Sequence, residues 1–314
     1  MKKLLIIFAL LFSVAPLLTE VKAQAGESEL PDWGFDYGIL WEQWDDWDRE
    51  IHEDGFEPSP LRTSVDTLTL MTYNVLHEHF QYKKHRDKHA EVISLVKPDV
   101  VGLQELIGKD NFYDLRQLTE MGGTMIVTHI KTHGTLQIDN GIGIMWKYDL
   151  GTPNITFKKL PDFGDHVAYL IAEFRDFCFI TTHYPNLVDS VFWKREQTTN
   201  AILDDNVVKR CKNTGKPIYV SGDFNSDPEQ EAIKIFTRNG FNVLNPDALT
   251  YPTWNKKNKI KNYTGPTNKA DLIIEYNENN PSGEPIDGGI PDFPSEAHKT
   301  ASDHCPYYVK VKLK

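Results

Sequence analysis

The nine residues from 220 to 228 contain the side chains that most clearly suggest a chemical function. They follow a short apolar stretch that is typical of a buried β-strand and leads into Gly222. Side chains of an extended chain alternate between faces, so Asp223 and Asn225 are predicted to point the same way. A carboxylate can orient or deprotonate a water, and a carboxamide can donate to a phosphate oxygen. An Asx-rich turn between a strand and a helix is the alternative interpretation.

Polar residues recur at the ends of other apolar segments. Asn74 and Glu105 each end a predicted strand, and His183 ends a third. Asp271 begins another apolar segment, and Asp303 with His304 precedes the last one. A single Glu at a strand end is usually only solvated, whereas a set of such positions predicts one convergent cleft.

The elements that must position these residues follow from hydrophobic periodicity. Nine strands are predicted: 68–75, 99–105, 124–130, 141–147, 167–174, 177–183, 216–222, 270–275 and 306–313. Four helices are predicted: 84–96, 111–121, 192–210 and 228–238. The last helix would have Ser226 or Asp227 as its cap, with Pro228 in the first turn. The pattern predicts one large domain over residues 67–314, with two packed mixed sheets and helices outside.

Two segments precede that domain. Residues 1–25 have a basic start, an apolar run and an Ala-Gln-Ala end, which predict a secretory signal peptide cleaved after Ala25. The protein is therefore expected to be exported and soluble, with a retained anchor as the alternative. Residues 26–66 are acidic and rich in Trp, and an apolar face at 40–51 predicts a helix that packs on the domain. An aromatic platform near a substrate or a membrane surface is the other interpretation.

Charge argues mildly against polyanionic partners. The chain carries a net charge of −11, and removal of residues 1–25, with three Lys and one Glu, leaves −13. Nucleic acid is not excluded, because a local basic groove or a metal can suffice. The basic run 256–261, between Trp254 and Tyr263, is either a solvated hairpin loop or a surface for a base or lipid head group. Other candidate phosphate-binding cations are Arg175, Lys194, Arg195 and Lys209.

The cysteines and the remaining histidines give weaker signals. Three Cys are an odd number, so one disulfide is conceivable but a small disulfide scaffold is not. Cys178 and Cys305 are predicted to be buried thiols. His77, His129 and His166 have no metal-ligand spacing and are expected at surface or local hydrogen-bonding positions.

Five short motifs contain most of the polar residues at predicted strand ends. In chain order they are Thr72-Tyr73-Asn74-Val75, Leu103-Gln104-Glu105, Thr182-His183, Gly222-Asp223-Phe224-Asn225 and Ser302-Asp303-His304-Cys305-Pro306. This ordered set resembles the endonuclease/exonuclease/phosphatase superfamily, which includes pancreatic-type deoxyribonuclease, abasic-site endonucleases, bacterial sphingomyelinases and inositol-polyphosphate 5-phosphatases. The resemblance covers about residues 67–313 and implies a four-layered α/β sandwich.

The resemblance also implies roles at a metal site. Glu105 would be the principal Mg²⁺ ligand, with Mn²⁺ as an alternative ion, and Asn74 would be a second ligand or an orienting residue. Asp303 would lie near the metal or the attacking water.

The same resemblance implies a division of labour around phosphorus. Asp223 would activate the water, and Asn225 would hold a phosphate oxygen. His304, fixed by Asp271, would bind phosphoryl oxygens or exchange a proton, while His183 would donate to phosphate or assist the leaving oxygen.

An exported Mg²⁺-dependent phosphoester hydrolase of phosphodiesterase type is therefore predicted. The alternatives within this class are a secreted endonuclease, a sphingomyelinase-like lipid phosphodiesterase and a small-molecule phosphatase. The abasic-site enzymes carry an acid two positions beyond the first-strand Asn, where this chain has Leu76, which weakens a repair function. A non-catalytic binding protein on the same scaffold is the alternative of a different class. Protein partners are not predicted.

Overall fold

The computed structural model describes residues 60–133, 136–163, 166–186, 192–253, 263–281 and 283–313, with the backbone alone at 131–133 and 136–138. The predicted signal peptide, the helix at 40–51 and the basic run 256–261 lie outside these residues. Within the described segments, no helix has the length and apolar character needed to cross a membrane.

The described segments form twelve strands and seven α-helices. The strands are β1 Thr67–Asn74, β2 Val100–Ile107, β3 Gly122–His133, β4 Leu136–Trp146, β5 Asn154–Lys159, β6 Ala168–Glu173, β7 Cys178–His183, β8 Ile218–Asp223, β9 Asn242–Val243, β10 Asp271–Tyr276, β11 Asp287–Gly289 and β12 Tyr307–Lys312. The helices are α1 His77–Phe80, α2 Lys83–Val96, α3 Lys109–Thr119, α4 Phe192–Leu203, α5 Asn206–Asn213, α6 Glu231–Arg238 and α7 Glu296–Lys299.

The strands form two mixed sheets of six strands each. The first has the order β11-β12-β1-β2-β4-β3 and the second the order β5-β6-β7-β8-β10-β9. Each sheet contains one parallel pair, β1 with β2 and β7 with β8. The registers bring polar strand ends together, because Asp223 lies beside His183 on one side and beside Asp271 on the other.

Three buried clusters hold the layers together. Leu68 and Leu70 of β1 face the second sheet in a central cluster, whereas Met71 and Tyr73 pack beneath α2 and α3. A third cluster joins the other face of the second sheet to α4, α5 and α6. The alternation along β1 is what a strand between two apolar layers requires. Helices therefore cover both outer faces of the paired sheets, which confirms the predicted four-layered α/β sandwich.

Two helix predictions are wrong in their bounds. The segment 192–210 forms two helices, because the chain turns at Asp204 and Asp205, and the Asp205 carboxylate accepts the Val207 amide at 2.8 Å as a cap. Helix α6 begins at Glu231 with Gln230 as the cap residue, so neither Ser226 nor Asp227 caps it. The left-handed backbone of Asn225 (φ 48°) redirects the chain first.

The unpredicted strands are short or polar. β5 is an edge strand with an exposed or half-exposed pattern, β9 has two residues, and β11 is Asp-Gly-Gly. β9 and β11 carry no apolar alternation of the kind that identifies a strand in sequence, and in β5 it is limited to Ile155 and Phe157. All three cysteines are buried and free, as predicted for Cys178 and Cys305.

Candidate active site

A cavity of about 510 Å³ opens where the polar strand ends of the two sheets meet. Six of the eight predicted site residues line it, whereas Asn74 and Asp271 are fully buried behind it. The six lining residues are Glu105, His183, Asp223, Asn225, Asp303 and His304.

His304 lies between carboxylates at the floor of the cavity. Its Nδ1 is 2.8 Å from Asp271 Oδ2, and its Nε2 is 3.7 Å from Asp223 Oδ2 and 4.0 Å from Asp303 Oδ1. Burial opposes charge on the ring, but the Asp271 and Asp223 carboxylates raise the pKa of His304 well above its ordinary value. The ring can therefore hold a proton on both nitrogens, with Nε2–H directed toward the cavity.

Asp223 ends β8 immediately after Gly222. A Cβ at Gly222 would lie 2.1 Å from the Thr182 carbonyl oxygen, so the close approach of β7 and β8 requires glycine there. Asp223 Oδ2 accepts from Asn74 Nδ2 at 3.1 Å, and Oδ1 accepts from the Asn225 amide at 2.9 Å. Burial raises the pKa of Asp223 to about 7, and the neighbouring Asp271 charge adds to the increase. This carboxylate is poised to exchange a proton near neutral pH.

Glu105 is aimed into the cavity by a β-bulge. The β2–β4 register shifts between Leu103 and Leu106, and Glu105 itself has a left-handed backbone (φ 59°). Bulges and such backbone conformations commonly re-aim side chains at functional sites. Burial would raise the pKa of Glu105, but the hydrogen bonds from His77 and Asn74 and the nearby charges of His183 and His77 together outweigh it and lower the pKa well below the ordinary value. The side chain is therefore a fixed anion.

Two neighbours hold the Glu105 carboxylate. His77 Nδ1 lies 2.7 Å from Oε2, and Asn74 Nδ2 donates to Oε1 at 3.1 Å. Asn74 thus approaches through its nitrogen, while its Oδ1 already accepts from the Leu76 amide at 3.0 Å. In this structure Asn74 orients the Glu105 carboxylate, and its expected role as a second metal ligand stays a prediction.

The loop after β7 is tied to the loop after β8. Asn225 Nδ2 donates to the Tyr184 carbonyl oxygen at 3.2 Å, and buried Arg195 donates from Nε to the Pro185 carbonyl at 3.0 Å. Arg195 therefore supports this loop and does not line the cavity. The other predicted phosphate-binding cations also lie elsewhere: Arg175 pairs with Asp176, Lys209 pairs with Asp204, and Lys194 lies over the Trp193 ring.

A sequence profile described as the endonuclease/exonuclease/phosphatase family matches residues 71–304. The chain belongs to this family. Its members are metal-dependent hydrolases of phosphoesters, and the chain is an enzyme of that class. No curated protein matches the chain.

Solved structures show the same fold at low sequence identity. The human Nocturnin catalytic domain with bound sulfate is 17% identical, with 78% of this chain and 93% of that chain covered and a TM-score of 0.56. Humanized TDP2 from D. rerio is also 17% identical, with 78% and 98% covered and a TM-score of 0.57. The mannosyl-6-phosphatase of Bacteroides thetaiotaomicron is 15% identical, with 77% and 98% covered and a TM-score of 0.58.

The donor set of this family member fits a divalent cation. One ligand atom each from Glu105, His183 and Asp223 lie within 4.8 Å of one another, and so do those of Asp223, Asp271 and His304. In the second group, two of the potential metal-ligand atoms, Asp271 Oδ2 and His304 Nδ1, are already engaged in a hydrogen bond with each other. The first group keeps the anionic Glu105 carboxylate at the cavity surface, and oxygen ligands of this kind suit Mg²⁺ or Mn²⁺.

Several lining residues were not assigned to the site from sequence, and four of them carry an imidazole or aromatic ring. His77, His129 and His166 were expected at surface or local positions, and Tyr251 was not singled out, yet all four line the cavity. The Tyr251 ring packs 4.6 Å from the His304 ring. His77 follows Asn74 by three residues, and this spacing is the only sequence signal that could have located it. His129 and His166 are brought in by tertiary structure alone.

Proposed function

We propose that this protein is an exported phosphoester hydrolase that uses Mg²⁺ or Mn²⁺ at Glu105 to direct a water onto phosphorus. The observation that carries the proposal is the arrangement of His304, buried against Asp271, beside Asp223 and in the same cavity as Glu105. A proton donor, a proton acceptor and a fixed anion thus face the same space. When bound, the cation would offset negative charge on the phosphoryl oxygens.

The residues divide the chemistry among themselves. Asp223 takes a proton from the attacking water while the water oxygen forms its bond to phosphorus. His304 donates a hydrogen bond from Nε2 to a phosphoryl oxygen, with Asp271 holding its Nδ1–H. Asn225 holds a second phosphoryl oxygen, and Asp303 faces the water or the cation.

The bond from phosphorus to the leaving oxygen then breaks. His183 Nε2 lies 3.6 Å from Asp223 Oδ2, so the proton taken by the carboxylate can return through His183 to the leaving oxygen. Burial lowers the pKa of His183, which favours a neutral ring able to accept and release that proton.

A small or singly charged phosphoester is the proposed substrate rather than duplex DNA. The net charge of −13 expected after signal removal repels a polyanion at long range. Among the cavity-lining residues that the structure describes, none is Lys or Arg, whereas a nuclease needs several phosphate contacts. The fold shared with a mannosyl-6-phosphatase supports a small-molecule substrate.

The test is a substrate panel measured with Mg²⁺, with Mn²⁺ and with chelator. It contains plasmid DNA, RNA, sphingomyelin, inositol phosphates, nucleotides, sugar phosphates and a chromogenic bis-ester, at low and at physiological salt. We expect cation-dependent hydrolysis with the highest kcat/KM on a small phosphoester. Hydrolysis that persists in chelator would contradict the mechanism, and plasmid nicking that exceeds every small substrate at physiological salt would make the protein a nuclease.

Export rests on the composition of residues 1–25 and has its own test. The full chain is expressed in a bacterial host, and the protein is recovered from the cell envelope and the medium. Mass spectrometry is expected to show a chain that starts at Gly26. An intact N-terminus in the cytoplasmic fraction alone would exclude export.

A further inference from the structure

Three imidazoles line one wall of the cavity in a row that leads away from Asp223. The His183 ring lies 4.9 Å from the His166 ring, and the His166 ring lies 6.5 Å from the His129 ring. All three residues are half-buried and line the cavity. His183 lies beside Asp223, with its Nε2 3.6 Å from Asp223 Oδ2, and His129 is two ring contacts farther along the row. A substrate group that contacts His129 would be separated from Asp223 by the His183 and His166 rings of this row.

The outer end of the row is built by a second β-bulge. The β3–β4 register runs from Val127 opposite Gly141 to His129 opposite Asn140, so Thr128 is an extra residue. Adjacent strand residues normally point to opposite faces, yet Thr128 and His129 both line the cavity. The bulge at Glu105 lies on the other side of β4. Strand β4 is thus flanked by two bulges, and each directs a polar side chain into the same cavity.

The second sheet supplies the middle of the row. His166 comes just before β6 and contacts both His129 of the first sheet and His183 of the second. The row therefore spans the two sheets, and its position depends on how they pack against each other.

The chemistry of this wall suits a neutral, hydroxyl-bearing group. Thr128 Oγ1 donates to the Asn140 carbonyl oxygen at 3.1 Å and keeps acceptor capacity, and Asn140 and the imidazoles carry further donor and acceptor atoms of the kind that pair with an alcohol. Among the described lining residues no Lys or Arg is present, while Glu105, Asp223 and Asp303 are acidic. A second anionic group on the substrate would find no Lys or Arg partner there. A hydroxyl-rich group would find several partners and would leave few polar atoms unpaired.

We propose that His129 and His166, with Thr128 and Asn140, bind the alcohol part of the substrate, and that this alcohol is an uncharged sugar or polyol. His129 and His166 are then specificity-determining residues. The inference rests on the proposed hydrolase function and adds to it the class of leaving group.

The experiment uses two phosphoesters that share ring size and charge. Glucose 6-phosphate carries ring hydroxyls, and cyclohexylmethyl phosphate carries none. Because one good hydrogen bond is worth about tenfold in binding, we expect kcat/KM of the mature protein to favour the sugar by at least about tenfold. In the double variant His129→Phe/His166→Phe, we expect this ratio to fall to within about threefold, mainly through KM.

Two further variants separate recognition from folding. His298→Phe alters a histidine that pairs with Glu91 and Ser295 away from the cavity, and its ratio should match the wild type. His129→Asn keeps a hydrogen-bonding side chain and should retain part of the preference. Circular dichroism checks each fold, and His129→Phe alone replaces the double variant if that variant does not fold.

Binding is measured independently of turnover, by calorimetry of both esters on an Asp223→Asn background with the cation present. A sugar preference in binding that disappears with the two His→Phe changes supports the inference even if hydrolysis of these esters fails, a failure that would count only against the proposed function. The inference is overturned if the protein with both histidines intact has equal affinity for the two esters. It is also overturned if the preference for the sugar ester survives both His→Phe changes.

Discussion

Two buried histidines of this protein have pKa values shifted in opposite directions. His304 lies against Asp271 and Asp223 at the cavity, and its pKa is raised. His89 lies in the outer core, where its Nδ1 is 2.9 Å from the Tyr73 hydroxyl, and burial lowers its pKa, with nearby histidines adding to the effect. Burial alone therefore makes a neutral structural imidazole. The carboxylates supplied by the second sheet make the charged imidazole that the proposed chemistry needs.

The largest expected effect is a difference in activity between variants of His304 and of His89. His304→Ala should lower kcat/KM by about 10²–10³-fold, because it removes the hydrogen-bond donor to a phosphoryl oxygen. His89→Leu should leave kcat/KM within a few-fold of the wild type. Steady-state kinetics on the best substrate of the panel measures both. Comparable losses in the two variants would mean that the carboxylate environment does not distinguish these histidines.

The next effect tests whether Asp271 works through His304. Asp271→Asn should lower kcat/KM by about 10²-fold, since the amide cannot support positive charge on the ring. The double variant with His304→Ala should lose little more than His304→Ala alone, because the two residues act as one unit. Additive losses in this double-mutant cycle would show independent roles.

The smallest effect concerns stability at the structural ring. His89→Leu leaves the buried Tyr73 hydroxyl without its partner, so the free energy of unfolding should fall by about 1–3 kcal/mol at neutral pH. Chemical denaturation provides the measurement. An unchanged or increased stability would show that the hydrogen bond to Tyr73 contributes nothing net.

The same ring predicts a pH dependence of stability. The folded pKa of His89 lies below its unfolded value of about 6.5, so below that pH the unfolded chain binds the proton and the folded protein does not. The neutral His89 ring therefore makes its full contribution to stability above about pH 6.5, and this contribution is lost as the pH falls. The free energy of unfolding of the wild type should decrease more between pH 7.5 and pH 5.5 than that of His89→Leu. Equal decreases in the two proteins would contradict the lowered pKa of His89.

The features predicted best from the sequence are those that depend on the residues of a single strand, such as where the strand ends. The ends of β7, β8 and β10 follow from apolar runs, and the parallel and antiparallel registers then place His183, Asp223 and Asp271 side by side. The apolar alternation of long strands likewise predicted two sheets covered by helices. The family resemblance added the partners of each residue as expectations, and the catalytic roles of these residues stay predictions.

Features that depend on the bulge at Thr128 and on the approach of the sheets were not predicted. A bulge has no reliable residue signature, so nothing in Val127-Thr128-His129 indicates that two consecutive side chains reach the cavity. His77 and His166 meet the site only after folding. The break of the helix at Asp205 was signalled by a capping residue but was hidden by continuous helix-forming residues on both sides.

The most direct test of the account is a cation titration of the wild type and of Glu105→Gln, which keeps the shape of the side chain and removes its charge. Calorimetry with Mg²⁺ and Mn²⁺ is run beside turnover of the best substrate, and Glu91→Gln serves as an exposed acidic control. We expect wild-type turnover to saturate with the cation as binding does, and Glu105→Gln to lose at least about tenfold in both affinity and turnover while Glu91→Gln keeps both. Unchanged affinity and unchanged turnover in Glu105→Gln would contradict the claim that this carboxylate holds the catalytic cation.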